Sequence, residues 1–188
     1  NYANAQIEAR QLLFSIGDKE KVQEAADDAA DEGLGYILPD NQLQFHSSIL
    51  KRLPLLLRCY VACGSILYGD IESADMIKIH MNSGKLTLQF YENFDDALPV
   101  LQRRIKIDMR SQNVRIFDYD DEDRQYLFMK SLYLPDDFED YVQQSNFDQK
   151  VSKIGKFDFS AYGPKGSAFD EYLRDNGLAV QNFDLISN

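Results

Sequence analysis

The sequence predicts an α+β fold in which a mainly antiparallel sheet of about four strands packs on one central, buried helix. Three observations predict it. The first third of the chain repeats its apolar residues at helical spacing, the segment from about 49 to 68 is apolar on most sides, and the middle third alternates apolar with polar residues. Because no repeat, low-complexity tract or linker divides the 188 residues, we expect one domain over residues 1–188.

Two helices are predicted at the N-terminal end. The helical pattern runs to Leu13 and is interrupted by Gly17. Asp18 is a favourable N-cap for a second helix over residues 19–31, and Gly33 lies where a glycine often follows a helix end. Helical segments therefore precede the sheet.

A buried helix is predicted in the centre of the chain. Two short strands, 36–38 and 43–46, lead into an apolar helical block over about 49–68. Pro54 should divide this block into a short and a longer helix, because proline interrupts helical hydrogen bonding. Gly64 lies within the longer helix and favours a close backbone approach.

Strand alternation predicts the sheet and the order of the elements that follow it. The four strands are 76–81, 86–91, 104–110 and 114–119, joined as two hairpins. After them come an acidic loop at 118–123, an extended piece at 126–130 and terminal helical segments at 138–152 and 167–175. The apolar face of the sheet should pack on the buried helix.

The opposite face of the predicted sheet is basic. It carries six Lys or Arg and one Asp, about +5 (6 − 1), in a chain whose net charge is −11. Cations with aromatic side chains between them suit phosphates and stacked bases. The candidate nucleic-acid contacts are Lys78, His80, Lys85, Arg104, Lys106, Arg110 and Arg115, with Tyr91, Phe117 and Tyr119 as candidates for stacking. The alternative is a solvated face whose cations pair with acidic side chains of the terminal helices.

The composition limits the classes of function that the protein can have. The net charge of −11 argues against generalised binding to nucleic acid or to anionic membranes, although it allows a local basic patch. No apolar run is long enough to span a membrane, the start is unlike a signal peptide, and there are only two cysteines. We therefore expect a cytoplasmic protein. The chain does not begin with Met and enters directly into a helical pattern, which predicts a piece of a longer chain, with a remnant of a cleaved tag as the alternative.

No complete catalytic or metal-binding motif is present, so we expect neither a cofactor nor a metal. The turn at 163–166 lacks the spacing of a phosphate-binding loop, and the run 118–123 lacks the residues of a calcium loop. Cys59 and Cys63 are four residues apart on an apolar helix, which favours buried thiols over zinc ligands. An enzyme that uses a cysteine nucleophile, or His46 or His80 as a base, stays an alternative.

Four stretches of the chain match a known pattern. They are Gln11-Leu-Leu-Phe-Ser-Ile-Gly-Asp18, Leu43-Gln-Phe-His46 with Leu53-Pro-Leu-Leu-Leu-Arg-Cys-Tyr-Val-Ala-Cys63, Tyr68-Gly-Asp-Ile-Glu-Ser-Ala-Asp-Met-Ile-Lys-Ile-His80 with Ser83-Gly-Lys-Leu and Tyr91-Glu-Asn-Phe94, and Lys130-Ser-Leu-Tyr-Leu-Pro135. Together they resemble the C-terminal region of the methyltransferase family associated with DNA phosphorothioation, over about residues 5–183.

The resemblance implies an accessory role. Members of that family accompany bacterial systems that replace a DNA backbone oxygen with sulfur, and their methyltransferase fold lies N-terminal to this region. The chain would then be a non-catalytic domain of a bacterial DNA-modification protein, with DNA or the methyltransferase half as its partner. The matching polar positions are Arg58, Lys78, His80, Ser83 and Lys85. The alternative is a protein-interaction or regulatory module that docks a basic partner through its acidic helices.

Overall fold

The computed structural model describes residues 2–120, 122 and 124–187 of the chain. The helices are α1 (Tyr2–Ile16), α2 (Lys19–Asp31), α3 (Leu55–Tyr68), α4 (Tyr141–Ser152) and α5 (Gly166–Asp175), with 3-10 turns at Ser47–Arg52 and Lys130–Tyr133. The strands are β1 (Tyr36–Leu38), β2 (Gln42–His46), β3 (Met76–His80), β4 (Lys85–Glu92), β5 (Val100–Asp108), β6 (Asn113–Asp118), β7 (Leu178–Gln181) and β8 (Asp184–Ser187). The predicted α+β class is confirmed.

The main sheet has six strands rather than about four. Strands β1 to β6 lie side by side in chain order, and every neighbouring pair is antiparallel. The two short strands that sequence alternation left outside the sheet form its first hairpin, and Leu43 of β2 pairs with Ile79 of β3. This pairing joins segments separated by the whole of α3, so no hairpin turn in the sequence indicates it.

The helix boundaries follow the predicted signals at the N-terminal end. The Asp18 side chain accepts hydrogen bonds from the amides of Glu20 and Lys21, at 3.1 and 3.4 Å. Pro54 is the N-cap of α3 and separates it from the preceding 3-10 turn. Asp18 therefore caps α2, and Pro54 lies at the predicted break.

Three strand segments differ from prediction. Strand β5 begins at Val100 because a bulge between Phe90 and Tyr91 lets the pairing continue beyond the predicted end. The predicted extended piece at 126–130 forms only an isolated bridge between Tyr126 and Val100. The terminal hairpin β7–β8 was not predicted.

Helix α3 packs on the apolar face of the sheet, as predicted. Gly64 faces β4 so closely that an added Cβ would lie 2.7 Å from Leu86 Cδ2, which confirms the close approach. Tyr60 is buried, and its Oη lies 3.1 Å from the carbonyl oxygens of His80 and Lys85, where it donates across the β3–β4 hairpin. Ile116 is exposed, because β6 is the edge strand and extends beyond the helix.

The C-terminal part of the chain covers the polar sheet face around Met76 of β3. Leu127 and Tyr133 pack on Met76 of β3, and a second apolar cluster forms around Phe128, Phe147 and other aromatic side chains beyond them. The polar face is therefore not a uniformly solvated surface. None of the helices in the described part of the chain has the length and apolar character needed to cross a membrane.

Candidate functional site

A cleft of about 640 Å³ separates the polar face of the sheet from the C-terminal part of the chain. Its floor is formed by β2 to β5, and its walls are formed by parts of 122–128 and 161–167. The charged and polar floor residues are Gln42, Gln44, Lys78, His80, Thr87, Gln89, Arg104 and Lys106. The cleft therefore encloses part of the basic face that strand alternation predicts.

At two glycines, the two walls of the cleft pack too closely for a larger residue. Gly163 has φ +71°, and an added Cβ there would lie 2.5 Å from Phe128 Cδ2. The amide of Gly166 donates to the Arg124 carbonyl at 3.1 Å, and a Cβ at Gly166 would collide with the same carbonyl oxygen. The 163–166 turn, which is no phosphate loop by its spacing, thus forms one wall of the cleft.

Lys78 lies on the floor and is only 5% exposed. Its Nζ donates to Tyr162 Oη over 3.4 Å and lies 4.6 Å from the centre of the tyrosine ring. Within the described residues it forms no ion pair. Burial, and secondarily Arg104, lower the pKa of Lys78 to about 7, while Asp40 opposes the shift. Lys78 is therefore a buried amine whose charged form has few compensating contacts.

Lys130, a second buried lysine, provides a contrast. Its Nζ donates to the carbonyl oxygens of Phe94 and Asp96, each at 2.7 Å, and the carboxylate of Asp148 opposes the lowering of its pKa, which burial brings to about 8. These contacts hold the loop at 94–96 against the 3-10 turn that begins at Lys130. Lys130 thus has two short hydrogen bonds and a nearby carboxylate, whereas Lys78 has one long hydrogen bond.

Gln89 is the second incompletely bonded group on the floor. It is 5% exposed, and its Nε2 donates to Tyr91 Oη at 3.0 Å. Its Oε1 is buried and has no hydrogen-bond partner within the described part of the chain. A buried amide oxygen without a partner is unfavourable by roughly 1–3 kcal/mol, so a ligand donor at this position would be stabilising.

His80 is neutral near pH 7. Its Nε2 lies 2.8 Å from Thr87 Oγ1, and burial, followed by the charge of Lys78, lowers its pKa to about 4. His80 would therefore contact an anion as a hydrogen-bond donor and not as a cation.

The open rim of the cleft combines cations with aromatic rings. Arg104 donates to Gln125 Oε1 at 3.1 Å, and its guanidinium carbon lies 5.4 Å from the ring centre of Tyr119. Lys106 Nζ lies 5.4 Å from the ring centre of Phe117. Among the residues the structure describes, neither cation forms an ion pair. Such pairs of charge and ring favour phosphate and base contacts.

The other predicted basic residues lie outside the cleft. Lys85 pairs with Asp108 at 3.7 Å, so this acidic partner comes from the sheet itself and not from a terminal helix. Arg110 packs over Gly84 at the end of the β3–β4 hairpin, and Arg115 is exposed on the edge strand. They extend the basic surface beyond the rim.

The two remaining positions of the family pattern are not part of the cleft. Arg58 is exposed on α3, on the opposite side of the sheet, and its Nη1 donates to the Lys51 carbonyl at 3.4 Å. Ser83 lies in the β3–β4 turn, where its amide donates to the His80 carbonyl at 3.3 Å. The structure therefore brings Lys78 and His80 together but separates them from Arg58.

Several cleft residues were not singled out from the sequence. Gln42 and Gln44 alternate along β2 and become recognisable once β2 is assigned to the sheet. Tyr162 donates to Asp40 over 3.4 Å, and these two residues come from loops on opposite sides of the cleft. No periodicity in the sequence indicates their approach.

The alternative catalytic residues lie elsewhere. His46 has its Nδ1 2.8 Å from Ser48 Oγ, its ring stacks on Phe94, and burial, then Lys130, lower its pKa to about 4. Cys59 and Cys63 are free thiols on α3, but both are only half-buried, so the prediction of buried thiols was wrong in degree. Burial raises the pKa of Cys63. In the described ranges no cluster of His, Cys, Asp or Glu has the arrangement of a metal site. Asp121 and Asp123 of the predicted acidic loop lie outside the described residues.

Comparison with known proteins gave no match to a family model, a curated protein or a solved structure.

Proposed function

We propose that this chain is an accessory, DNA-contacting domain that binds nucleic-acid phosphates through the cleft and its rim and has no catalytic site of its own. The observation that carries the proposal is the gathering of Lys78, Arg104 and Lys106 in one cleft, without ion pairs among the described residues, in a chain of net charge −11. An anion is the partner that these groups lack.

The enclosed cleft favours a single strand over a duplex. Lys78 lies at the floor and is almost fully buried, so the backbone of a rigid duplex would reach only the rim. A single strand is narrow enough to enter, and Phe117 and Tyr119 beside the rim cations offer surfaces for base stacking. A duplex would bind by its phosphates alone, along Lys106 and Arg115.

The resemblance described above supports the biological setting of this proposal. A C-terminal domain that holds DNA would serve a methyltransferase half that carries the chemistry, in a bacterial DNA-modification protein. In that setting, the domain would meet DNA that carries sulfur in its backbone and DNA that does not. Matched strands with and without backbone sulfur therefore belong in the binding test.

The test is a salt titration of binding to labelled single strands and duplexes, with the rim variant Lys106→Glu with Arg115→Glu. The control is Lys19→Glu with Lys153→Glu, which changes the net charge equally at exposed positions of α2 and the end of α4. We expect the rim variant to weaken binding at least about tenfold at ~50 mM salt, because each phosphate contact releases counterions. The control should retain the wild-type affinity.

Two results would overturn the proposal. Equal losses in the rim and control variants would show an effect of net charge rather than of this surface. Absence of binding to every strand at ~50 mM salt, where phosphate contacts are strongest, would remove the DNA-contacting function.

A protein-interaction module is the second candidate. Phe14 of α1 and Ile66 of α3 are each 83% exposed, on helices that pack on one another. Large exposed apolar side chains on neighbouring helices are typical of a docking surface. Phe14→Ser with Ile66→Ser should then abolish association with the methyltransferase half supplied in trans, while DNA binding is retained.

A further inference from the structure

The inner end of the cleft differs from its rim in being buried, polar and incompletely bonded. Lys78 and Gln89 are each 5% exposed, and neither reaches the hydrogen bonds that its side chain allows. Buried polar groups in folded proteins almost always have partners. Two such groups on adjacent strands, facing the same cleft, indicate a position for a bound molecule.

The charges at this end require an anion. Lys78 has one long hydrogen bond to a neutral hydroxyl. Arg104 and Lys106 lie on β5, one strand beyond Thr87 and Gln89 of β4, and the positive charge of both acts on Lys78. The groups that face Lys78 are these two cations, the neutral His80, the Tyr162 hydroxyl and the carboxylate of Asp40, which faces it across the cleft. A phosphate is a compact anion that accepts from Lys and Arg together.

The space beside these cations suits a planar ring. The cleft volume of about 640 Å³ lies within the usual range of small-molecule sites, roughly 300–1,000 Å³. Tyr162 is 53% exposed, and Lys78 Nζ covers one face of its ring at 4.6 Å, which leaves the opposite face for a base. The amide of Gln89 has an unused acceptor. Base edges carry both donors and acceptors, which an amide can read.

We propose that the cleft binds one nucleotide unit, with its phosphate between Lys78 at the inner end and Arg104 and Lys106 at the rim, its base against Tyr162, and a base donor at Gln89 Oε1. The unit is either a free mononucleotide or one nucleotide of a bound strand. The inference deepens the proposed function, and its strand-bound form rests on that function.

The experiment is calorimetry of the whole chain with inorganic phosphate, ribose 5-phosphate, the four ribonucleoside monophosphates and an octathymidylate strand. We expect at least one monophosphate or the strand to bind about tenfold more tightly than ribose 5-phosphate, because the base adds stacking and a hydrogen bond. Lys78→Met should weaken this ligand at least about tenfold. Gln89→Leu should weaken it without changing the affinity for inorganic phosphate.

The matched control is Lys85→Ala. Lys85 lies on the same face of the sheet but pairs with Asp108 and does not line the cleft. Its removal should leave the affinity for the monophosphates unchanged. A thermal melt of each variant shows whether it is folded, and Gln89→Leu, which removes no charge, keeps the test decisive if Lys78→Met does not fold.

The outcomes separate the sources of the ligand and the two proposals. Binding of free monophosphates that depends on Lys78 assigns the site to small nucleotides, even if no strand binds and the proposed function fails. Strand binding that depends on Lys78 and Gln89, without binding of free monophosphates, assigns it to a unit of the strand. Strand binding that depends only on Lys106 and Arg115 would overturn the inference and leave the proposed function standing. The absence of all binding would overturn both the inference and the proposed function.

Discussion

Two buried side chains, Lys78 and Gln89, distinguish this cleft from an ordinary polar surface. A lysine ammonium loses much of its hydration on burial, and only hydrogen-bond acceptors or counter-charges can replace it. Lys130 recovers it through two carbonyl oxygens at 2.7 Å, whereas Lys78 has a single hydroxyl at 3.4 Å. Lys130 therefore stabilises the fold, and the lack of comparable contacts at Lys78 supports the ligand proposed there.

This difference predicts that Lys78→Met stabilises the unliganded protein. The folded pKa of about 7 lies below the ordinary value of 10.5, so between these values the unfolded chain binds a proton that the folded chain does not. Stability therefore rises with pH across that window, and the full cost of the charge is present below about pH 7. We expect a gain on the order of 2 kcal/mol near pH 6 that shrinks towards pH 10.

Urea unfolding of wild type and Lys78→Met at both pH values measures the effect. Lys130→Met is the control, because it removes the donor to the Phe94 and Asp96 carbonyls and should destabilise the fold at either pH. A destabilised Lys78→Met near pH 6 would mean that Lys78 already has its partner in the protein.

At the scale of elements, the walls of the cleft depend on the 163–166 turn. Gly163→Ala would place a Cβ against the Phe128 ring and strain a backbone with φ +71°. Gly177→Ala is the matched control, because Gly177 has φ +59° but open space around its Cα. We expect Gly177→Ala to cost about 1 kcal/mol from its backbone conformation, and Gly163→Ala to cost roughly 1–3 kcal/mol more.

Thermal melts of the two glycine variants, followed by calorimetry with the nucleotide, test the role of this wall. Gly163→Ala should also weaken nucleotide binding, whereas Gly177→Ala should not. Equal melting temperatures for the two variants would show that the turn does not pack on Phe128 as described.

The elements that the sequence predicted well are those whose two faces lie in different environments. Alternation identified β3 and β4 because Ile77 and Leu88 enter the core while Lys78 and Thr87 face the cleft. The β7–β8 hairpin was missed because its turn places Asn182 and Phe183 at positive φ without a glycine to mark it.

The candidate site was predicted in part for the same reason. Lys78, Arg104 and Lys106 share one face by strand periodicity, and the structure brings them into one cleft. The enclosure of the cleft was not predicted, because Tyr162 approaches Lys78 from a loop 84 residues further along the chain. Contacts of that kind depend on packing of the C-terminal part, which has no periodic signature.

At the scale of the whole molecule, the separation of charge orients the protein. With a net charge of −11, most of the surface repels a polyanion, so an approaching strand is favoured only where the cations of the sheet are concentrated. Binding should therefore be localised and strongly dependent on salt. The same separation disfavours indiscriminate association with nucleic acid.

The most direct test of the cleft as the nucleic-acid site is an NMR titration of the isotope-labelled chain with an octathymidylate strand. We predict that the largest shifts fall on β3 to β5 and on the two walls, at 124–128 and 161–167, and that they diminish in Lys78→Met. Shifts confined to the exposed faces of α1 and α3, or absent at a strand excess near ~50 mM salt, would contradict it.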